Sequence, residues 1–237
     1  MPGEQYVCLV CGFNMVGHHP DHCPFCNASN DNFITSEECS KRFIVTPAPV
    51  NQKVTRLTSV PPLGLEHAAY AIDVGGDAGT IWIDCPSSFN DSLAPARRIL
   101  FTHHHFLGAS NQYRALFGAG VMIHTLDSAH PICSRFTFDS TFSSSFNDLS
   151  IEAFHIDGHT PGFTFYIFES TLFICDYVFI DQIGMRFNPF GPADKTRLGG
   201  EAIREVLDSR DVSDVCGFNY TMEYLRWRPL FDALLSG

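Results

Sequence analysis

Apolar residues along this chain occur mainly in short runs that end at turn-forming residues. Runs of about four to eight β-branched and aromatic residues, bounded by Gly, Pro, Asn or Asp, are typical of strands. This pattern predicts strands over residues 42–46, 53–59, 67–73, 80–84, 98–101, 120–125, 150–155, 162–168, 171–175 and 212–217. Apolar residues spaced as on one helix face predict helices over residues 109–117, 196–210 and 221–235. The chain is therefore expected to be of the α/β (α+β) class.

Three consecutive histidines follow the predicted strand at residues 98–101. Side chains alternate in direction on an extended chain, so His103 and His105 are expected on one face and His104 on the other. Neutral imidazole is the commonest side-chain ligand of transition metals. This pair of imidazoles at a strand end predicts a two-nitrogen metal clamp. The alternative interpretation is a surface loop that happens to carry histidines.

Two later segments favour the metal interpretation. Residues 158–162 read Gly-His-Thr-Pro-Gly, and the predicted strand at residues 171–175 is followed by Asp176. Together with Thr-His-His-His at residues 102–105, these segments resemble the metallo-β-lactamase superfamily. The motifs of that superfamily are T-H-x-H-x-D-H, then H-T-P-G, then a strand ending in Asp.

The resemblance covers roughly residues 42–237 and implies a four-layer αββα sandwich that binds one or two metal ions. It also implies which residues bind metal and carry the chemistry. These are His103, His105, His159 and Asp176.

The chain departs from the superfamily at the second metal position. The motif has Asp and His where Leu107 and Gly108 stand, and a final His where Phe218 or a neighbour stands. A dinuclear centre of the usual kind therefore has too few donors. A mononuclear centre of three imidazoles and one carboxylate is complete, and so is a set of two imidazoles and one carboxylate. Such sets suit Zn(II) with an open position or Fe(II) with positions for dioxygen and substrate.

Four further residues follow predicted strands beside these motifs. In the superfamily, an Asp in the place of Asp84 supports the metal-binding histidines from behind, and capping of the next turn is the alternative. Cys85, Cys175 and Cys216 each stand at a strand end next to a motif position. They are either small buried apolar side chains or thiols close to the metal.

Two C-x-x-C pairs near the N-terminus predict a separate metal site. Cys8 and Cys11, with Cys23 and Cys26, supply four thiolates for one tetrahedral ion. The segment resembles the rubredoxin-like module of rubrerythrins, which binds one iron and passes single electrons. Zinc ribbons share the pattern, so iron is the favoured ion and zinc remains open.

The domain organisation follows from these motifs. Residues 1–41 are predicted to form the rubredoxin-like four-cysteine module, and residues 42–237 the metallo-β-lactamase-like domain. The polar and mildly acidic residues 29–40 are interpreted as a linker between them.

Composition narrows the function classes. The net charge is −11 and no run of Lys or Arg occurs, which argues against nucleic acid as a partner. No apolar stretch approaches the roughly 20 residues of a membrane helix, and residues 1–4 show no secretory leader. Nine cysteines, four of them spaced as a metal site, favour a reducing compartment. We expect the cytoplasm, or an organelle stroma if a transit peptide was removed.

Three functions are compatible with these features. The first is a redox protein whose four-cysteine iron centre serves a mononuclear non-haem iron site, with a small-molecule substrate and an electron-transfer protein as partners. The second is a mononuclear zinc hydrolase of an ester, thioester or lactone. The third is a non-catalytic binding or assembly protein that retains the fold.

Overall fold

The computed structural model describes residues 4–237, which divide into two compact units. Unit 1 comprises the described residues up to Ile123 together with Ser128–Thr141. Unit 2 comprises His124–Asp127 and Phe142–Gly237.

Strands account for most of the regular structure. They are β1 (Gln5–Cys8), β2 (Asn14–Val16), β3 (Phe33–Thr35), β4 (Ile44–Pro49), β5 (Val54–Val60), β6 (Ala69–Gly75), β7 (Gly79–Ile83), β8 (Ala96–Leu100), β9 (Gly120–His124), β10 (Ser140–Phe142), β11 (Phe146–Asp148), β12 (Ile151–His155), β13 (Thr164–Phe168), β14 (Thr171–Cys175), β15 (Val178–Asp181), β16 (Gly184–Phe187), β17 (Asp214–Gly217) and β18 (Thr221–Glu223). The α-helices are α1 (Ser36–Arg42), α2 (Ser110–Phe117), α3 (Thr125–Ser128), α4 (Ala193–Leu207) and α5 (Tyr224–Ser236). Short 3-10 helices occupy Asn30–Asn32, Gly76–Ala78 and Pro131–Arg135.

The N-terminal cysteine segment lies on a small antiparallel sheet of order β2-β1-β3. β3 and the greater part of α1 fall within residues 29–40, so the prediction of a linker there is wrong. Phe33 in β3 is buried and pairs with Cys8, which ties this otherwise polar segment to β1. Phe33 and Ile34 are too few apolar residues to show the alternation of a strand, so the sequence pattern did not predict β3.

Helix α1 is short, but both of its ends are stabilised. The Thr35 hydroxyl accepts a hydrogen bond from the Glu38 N–H at 3.1 Å. Glu37 and Glu38 in the first turn pair with Lys41 and Arg42 in the last turn. Acidic residues at the N-terminus and basic residues at the C-terminus both complement the helix dipole.

A seven-stranded sheet of order β10-β9-β8-β7-β6-β5-β4 is the core of unit 1. β7 pairs with β8, and β8 with β9, in parallel orientation. Parallel strands end at the same edge of a sheet, so Asp84 after β7 lies beside the segment that follows β8. Helix α2 packs on this sheet, with the ring of Tyr113 at 4.9 Å from that of Trp82.

Unit 2 is built on a six-stranded sheet of order β11-β12-β13-β14-β17-β18. β13 and β14 are buried along their whole length, which explains their nearly continuous apolar sequences. The buried cluster of this unit includes Ile203 from α4 and Trp227 and Phe231 from α5. These helices therefore supply the apolar cover of the sheet.

The predicted helices are confirmed with small shifts of their ends. The last one begins at Tyr224 rather than Thr221, because Thr221–Glu223 pairs with β17 as β18. Residues 136–146, a segment rich in Ser, Thr and Phe, contain β10 and the start of β11. Among residues 4–237, no helix is both long and apolar enough to span a membrane.

Replacement of Thr35 by Ala is predicted to destabilise the protein by about 1 kcal/mol, because the Glu38 N–H loses its acceptor. Urea unfolding would measure the change as a lower denaturation midpoint. Thr35→Ser keeps the hydroxyl and is expected to unfold like the wild type. An equal loss in both variants would show that the cap does not carry the effect.

Candidate metal sites

The four cysteines of the N-terminal segment converge, as predicted. Their sulfur atoms all lie within 4.8 Å of one another, and the closest contacts are Cys8 to Cys26 at 3.7 Å and Cys11 to Cys23 at 3.6 Å. A tetrahedral ion with metal–sulfur bonds of about 2.3 Å has sulfur–sulfur edges of about 3.8 Å. The geometry therefore fits one tetrahedral ion. We call this four-cysteine segment, residues 8–26, the knuckle.

Matching turns hold the two cysteine pairs. The Gly12 N–H donates to the Cys8 carbonyl at 2.8 Å, and the Asn27 N–H donates to the Cys23 carbonyl at 2.9 Å. Both residues have positive φ, 81° at Gly12 and 60° at Asn27, a conformation that Gly and Asn adopt most readily. Each turn thus brings its two thiols to the same side.

The pKa shifts in the knuckle differ in direction from one thiol to the next. Hydrogen bonds from the thiols of Cys11 and Cys23 hold the pKa of Cys8 well below its usual range. The pKa of Cys11 is raised by its hydrogen bonds to Cys23 and Cys8 and by burial. One thiolate is therefore stable among the other thiols, but four thiolates need a metal ion to neutralise them.

The histidine segment after β8 is held by a buried carboxylate. Asp84 Oδ1 accepts from the Thr102 N–H at 2.9 Å, and the Thr102 hydroxyl contacts both oxygens of Asp84 at 2.9 and 3.0 Å. The same hydroxyl lies 2.9 Å from His103 Nδ1. Its single hydrogen goes to the carboxylate, so the hydroxyl accepts from Nδ1–H. This tautomer leaves the lone pair of His103 on Nε2, where a metal could bind.

His103 and His105 lie next to each other, with ring centroids 4.8 Å apart. His104 is buried and its ring stacks on His130 at 4.0 Å, nearly parallel. His130 in turn accepts a hydrogen bond from the Ile132 N–H at the start of a 3-10 helix. The middle histidine therefore has a packing role of its own.

Sequence reasoning missed one buried histidine of unit 1. His67 Nδ1 lies 3.9 Å from Asp84 Oδ2, and its ring is 6.1 Å from that of His103. Sixteen residues separate it from Asp84 in the chain, and no local motif marks it. Only the pairing of strands in the folded sheet brings the two together.

The missing donors of the second metal position have a steric explanation. Gly108 has φ +53°, and a Cβ there would lie 2.4 Å from the backbone oxygens of both Cys85 and Pro86. A histidine cannot occupy that position without moving the backbone. Leu107 is buried in the apolar cluster of unit 1. The departure from the superfamily motif is therefore built into the packing.

In unit 2, a buried carboxylate shapes the turn that carries His159. Asp127 is fully buried and accepts from the Thr160 hydroxyl and from the Gly162 N–H, both at 2.8 Å. A Cβ at Gly162 would lie within 2.9 Å of Asp127, so the glycine permits this close approach. The Thr-Pro-Gly sequence after His159 is thus fixed on one acidic side chain.

His159 and Asp176 lie close together in unit 2. His159 Nε2 is 3.9 Å from Asp176 Oδ2, and both side chains are buried. The Asn188 amide nitrogen lies 2.9 Å from Asp176 Oδ2 and 3.2 Å from His159 Nε2. Because Asn188 Oδ1 accepts from the Phe190 N–H at 2.9 Å, the amide nitrogen is directed to the two predicted ligands. His159 accepts at Nε2, so this atom carries the lone pair that a metal ligand requires.

Asn188 was not identified from the sequence as a site residue. It lies in a segment that carries Gly, Pro and Phe and has no motif of its own. At the expected place of the last metal-binding histidine, the ring of Phe218 packs on Phe179 at 5.0 Å. Apolar packing thus occupies the position of the missing donor.

Comparison with known proteins identifies the fold. No family model and no curated protein matches the chain. The solved structures that resemble it include a metallo-β-lactamase from Pontibacter korlensis, at 15% identity and a TM-score of 0.63 over 81% of this chain and 99% of that one. They also include the metallo-β-lactamase superfamily protein ST1585 from Sulfolobus tokodaii, at 12% identity and a TM-score of 0.52 over 72% of this chain and 79% of that one.

A third similar structure is TTHA1623 in a di-iron-bound form, at 16% identity and a TM-score of 0.53 over 76% of this chain and 94% of that one. The chain therefore has the mixed α/β sandwich fold of the metallo-β-lactamases, as the motifs implied, together with a four-cysteine knuckle near its N-terminus. It carries metal-binding residues of both kinds, the cysteine cluster and the His/Asp donors.

Replacement of Thr102 by Val is predicted to weaken metal binding at His103 by about 10- to 100-fold, because the imidazole loses the partner that fixes its tautomer. Titration of the metal-free protein with zinc would measure the affinity. Thr102→Ser retains the hydroxyl and should bind zinc like the wild type. Unchanged affinity in Thr102→Val would refute the role given to this hydroxyl.

Replacement of Asp127 by Ala is predicted to destabilise the protein by about 2 to 3 kcal/mol, since a buried hydroxyl and a buried N–H both lose their acceptor. Urea denaturation would measure the change. Asp211→Ala, at an exposed position, is the matched control and should change stability by less than about 0.5 kcal/mol. Similar stability of the two variants would contradict the assignment.

Proposed function

We propose that this protein is a redox protein in which an iron ion in the knuckle serves a mononuclear non-haem iron centre. The centre would be formed by His103, His105, His159 and Asp176. The similarity to the metallo-β-lactamase from Pontibacter korlensis, over 81% of this chain, supports a metal centre on this fold. Three imidazoles and one carboxylate suit Fe(II) or Zn(II).

One contact in unit 1 carries the redox proposal. The ring of Phe25, in the second cysteine turn of the knuckle, lies 5.3 Å from the ring of His105. The four-thiolate site therefore adjoins a predicted ligand of the second centre. A one-electron centre in this place can exchange electrons with a neighbouring iron, which gives the cysteine segment a purpose beyond fold support.

The packing at Leu107 and Gly108 supports a single ion in the second centre. Neither residue can supply a donor, and the steric contact of Gly108 with the backbone of Cys85 and Pro86 opposes a larger side chain. Iron bound to this donor set would supply open positions for dioxygen and a substrate. Around it, Thr102 would hold the His103 tautomer and Asn188 would donate to the Asp176 carboxylate.

The partners implied by this function are a small-molecule substrate and an electron-transfer protein. Nine cysteines with a thiolate metal site favour a reducing compartment, either the cytoplasm or an organelle stroma. TTHA1623, one of the similar structures, is described in a di-iron form, which shows that iron occurs on this fold.

A mononuclear zinc hydrolase acting on an ester, thioester or lactone is the second candidate. It is favoured by the similar structures that are themselves named metallo-β-lactamases. Zinc would lower the pKa of a bound water to about 7 and so make it a nucleophile at neutral pH. Metal identity separates this candidate from the redox protein.

Anaerobic purification with metal analysis tests the redox proposal. We expect about one iron in the knuckle and one in the histidine centre, since both donor sets suit iron. Cys8→Ser/Cys11→Ser should lose the first iron together with its thiolate–iron colour. His159→Ala/Asp176→Ala should lose the second iron and keep the colour. Zinc alone in both sites would refute the redox function and leave the hydrolase.

A further inference from the structure

Phe25 is held on both sides by the cysteine ligands of the knuckle. It lies two residues after Cys23 and directly before Cys26, within the turn that the hydrogen bond from Asn27 to Cys23 closes. A metal ion bound by both sulfur atoms would fix this turn at two points. The position of the Phe25 ring is therefore tied to the state of the knuckle.

The ring of Phe25 packs on the segment that bears two predicted ligands of the second centre. Its centroid lies 5.3 Å from that of His105 and 4.7 Å from that of Phe106. Phe106 is buried within the apolar cluster that also contains Cys8, Cys11 and Cys23. Phe25 and His105 are half-buried, so their contact lies at the edge of this apolar cluster, against the buried ring of Phe106.

Further contacts connect Phe106 with the residues that support His103. The ring of Phe106 lies 4.6 Å from that of His67, and His67 approaches Asp84, the residue that anchors Thr102. Aromatic packing therefore connects the knuckle both to His105 directly and to the hydrogen-bonded support of His103.

The ring of His105 takes part in this packing. The Nδ1 atom of His103 has a hydrogen bond to a side chain that is itself anchored on Asp84. His105 is half-buried, and its ring is placed by contacts with His103, His104 and Phe25. A ligand that is already ordered loses less conformational entropy when the metal binds, and the affinity is correspondingly higher.

We propose that Phe25 is a positioning residue through which metal binding in the knuckle raises the metal affinity of the histidine centre. The inference rests on the proposed function, because it assumes that the histidine centre binds an ion. A bound ion in the knuckle orders the turn at Phe25, and the ordered ring holds His105 in place. Thermodynamic linkage requires the effect to be reciprocal, so an ion at the histidines also tightens binding in the knuckle.

The full chain, stripped of metal and titrated with cobalt(II), provides the test. Cobalt bound to four thiolates absorbs strongly by charge transfer, whereas cobalt bound to imidazole and carboxylate shows only weak bands, so one titration reports both sites. We expect Phe25→Leu to lower the cobalt affinity of the histidine centre, the weakly absorbing site, by about tenfold. This is the size of effect seen when a metal ligand loses the residue that supports it. The thiolate absorption bands should stay unchanged.

Two variants control for general damage. Phe25→Tyr keeps the ring and should restore the wild-type affinity of the histidine centre. Phe33→Leu makes the same change to another ring of the apolar cluster around the cysteines. This ring packs on His19 at 6.0 Å, so the substitution should leave the metal affinity of the histidine centre unchanged. If the rings had only a structural role, Phe33→Leu would lower the metal affinity of the histidine centre as much as Phe25→Leu does.

An emptied knuckle completes a double-mutant cycle. Cys8→Ser/Cys26→Ser should weaken the histidine centre by the same factor of about ten, and addition of Phe25→Leu to it should cause no further loss. Wild-type affinity in the emptied variant, or in Phe25→Leu, would overturn the inference and leave the proposed function intact. A wild-type chain that binds cobalt in the knuckle alone would overturn the proposed histidine centre, and the inference with it.

Discussion

The hydrogen bonds from Thr102 to the buried carboxylate of Asp84 are the interaction on which the histidine segment depends. Parallel pairing of β7 with β8 brings these two residues to the same sheet edge. The hydroxyl then determines the tautomer of His103. Thr102 binds no metal in our proposal, but its hydroxyl determines which nitrogen of His103 can bind one. Supporting residues also position the predicted ligands of unit 2. Asp127 fixes the turn after His159, and Asn188 orients Asp176.

Asp84 and Asp127 are buried carboxylates, and each accepts hydrogen bonds from more than one donor of the protein. The knuckle differs, because its sulfur atoms contact one another, Cys8 to Cys26 at 3.7 Å and Cys11 to Cys23 at 3.6 Å. Its four sulfurs become thiolates together only around a cation. The two supporting carboxylates are therefore satisfied by protein donors, whereas in our proposal an ion completes the knuckle. Metal binding in the knuckle can therefore order the residues that pack around it.

The sequence predicted the local parts of both sites well. C-x-x-C spacing is sufficient to place four thiols, and the two-residue period placed His103 beside His105. Residues that act through long-range packing escaped prediction. Phe25 meets His105 eighty residues along the chain, and Asn188 reaches back to His159, so neither has a neighbour in sequence that reveals its role. The segment at residues 29–40 was misread for a related reason, since β3 exists because β1 is beside it.

Anomalous scattering from crystals of the full chain, recorded at the iron and zinc absorption edges, tests the mononuclear centre most directly. A single ion bound by His103, His105, His159 and Asp176 is expected, with a second ion at the four cysteines. Two ions at the histidine centre would show that Leu107 and Gly108 do not prevent dinuclear binding. Absence of any ion there in metal-replete crystals would show that these four residues do not form a metal centre.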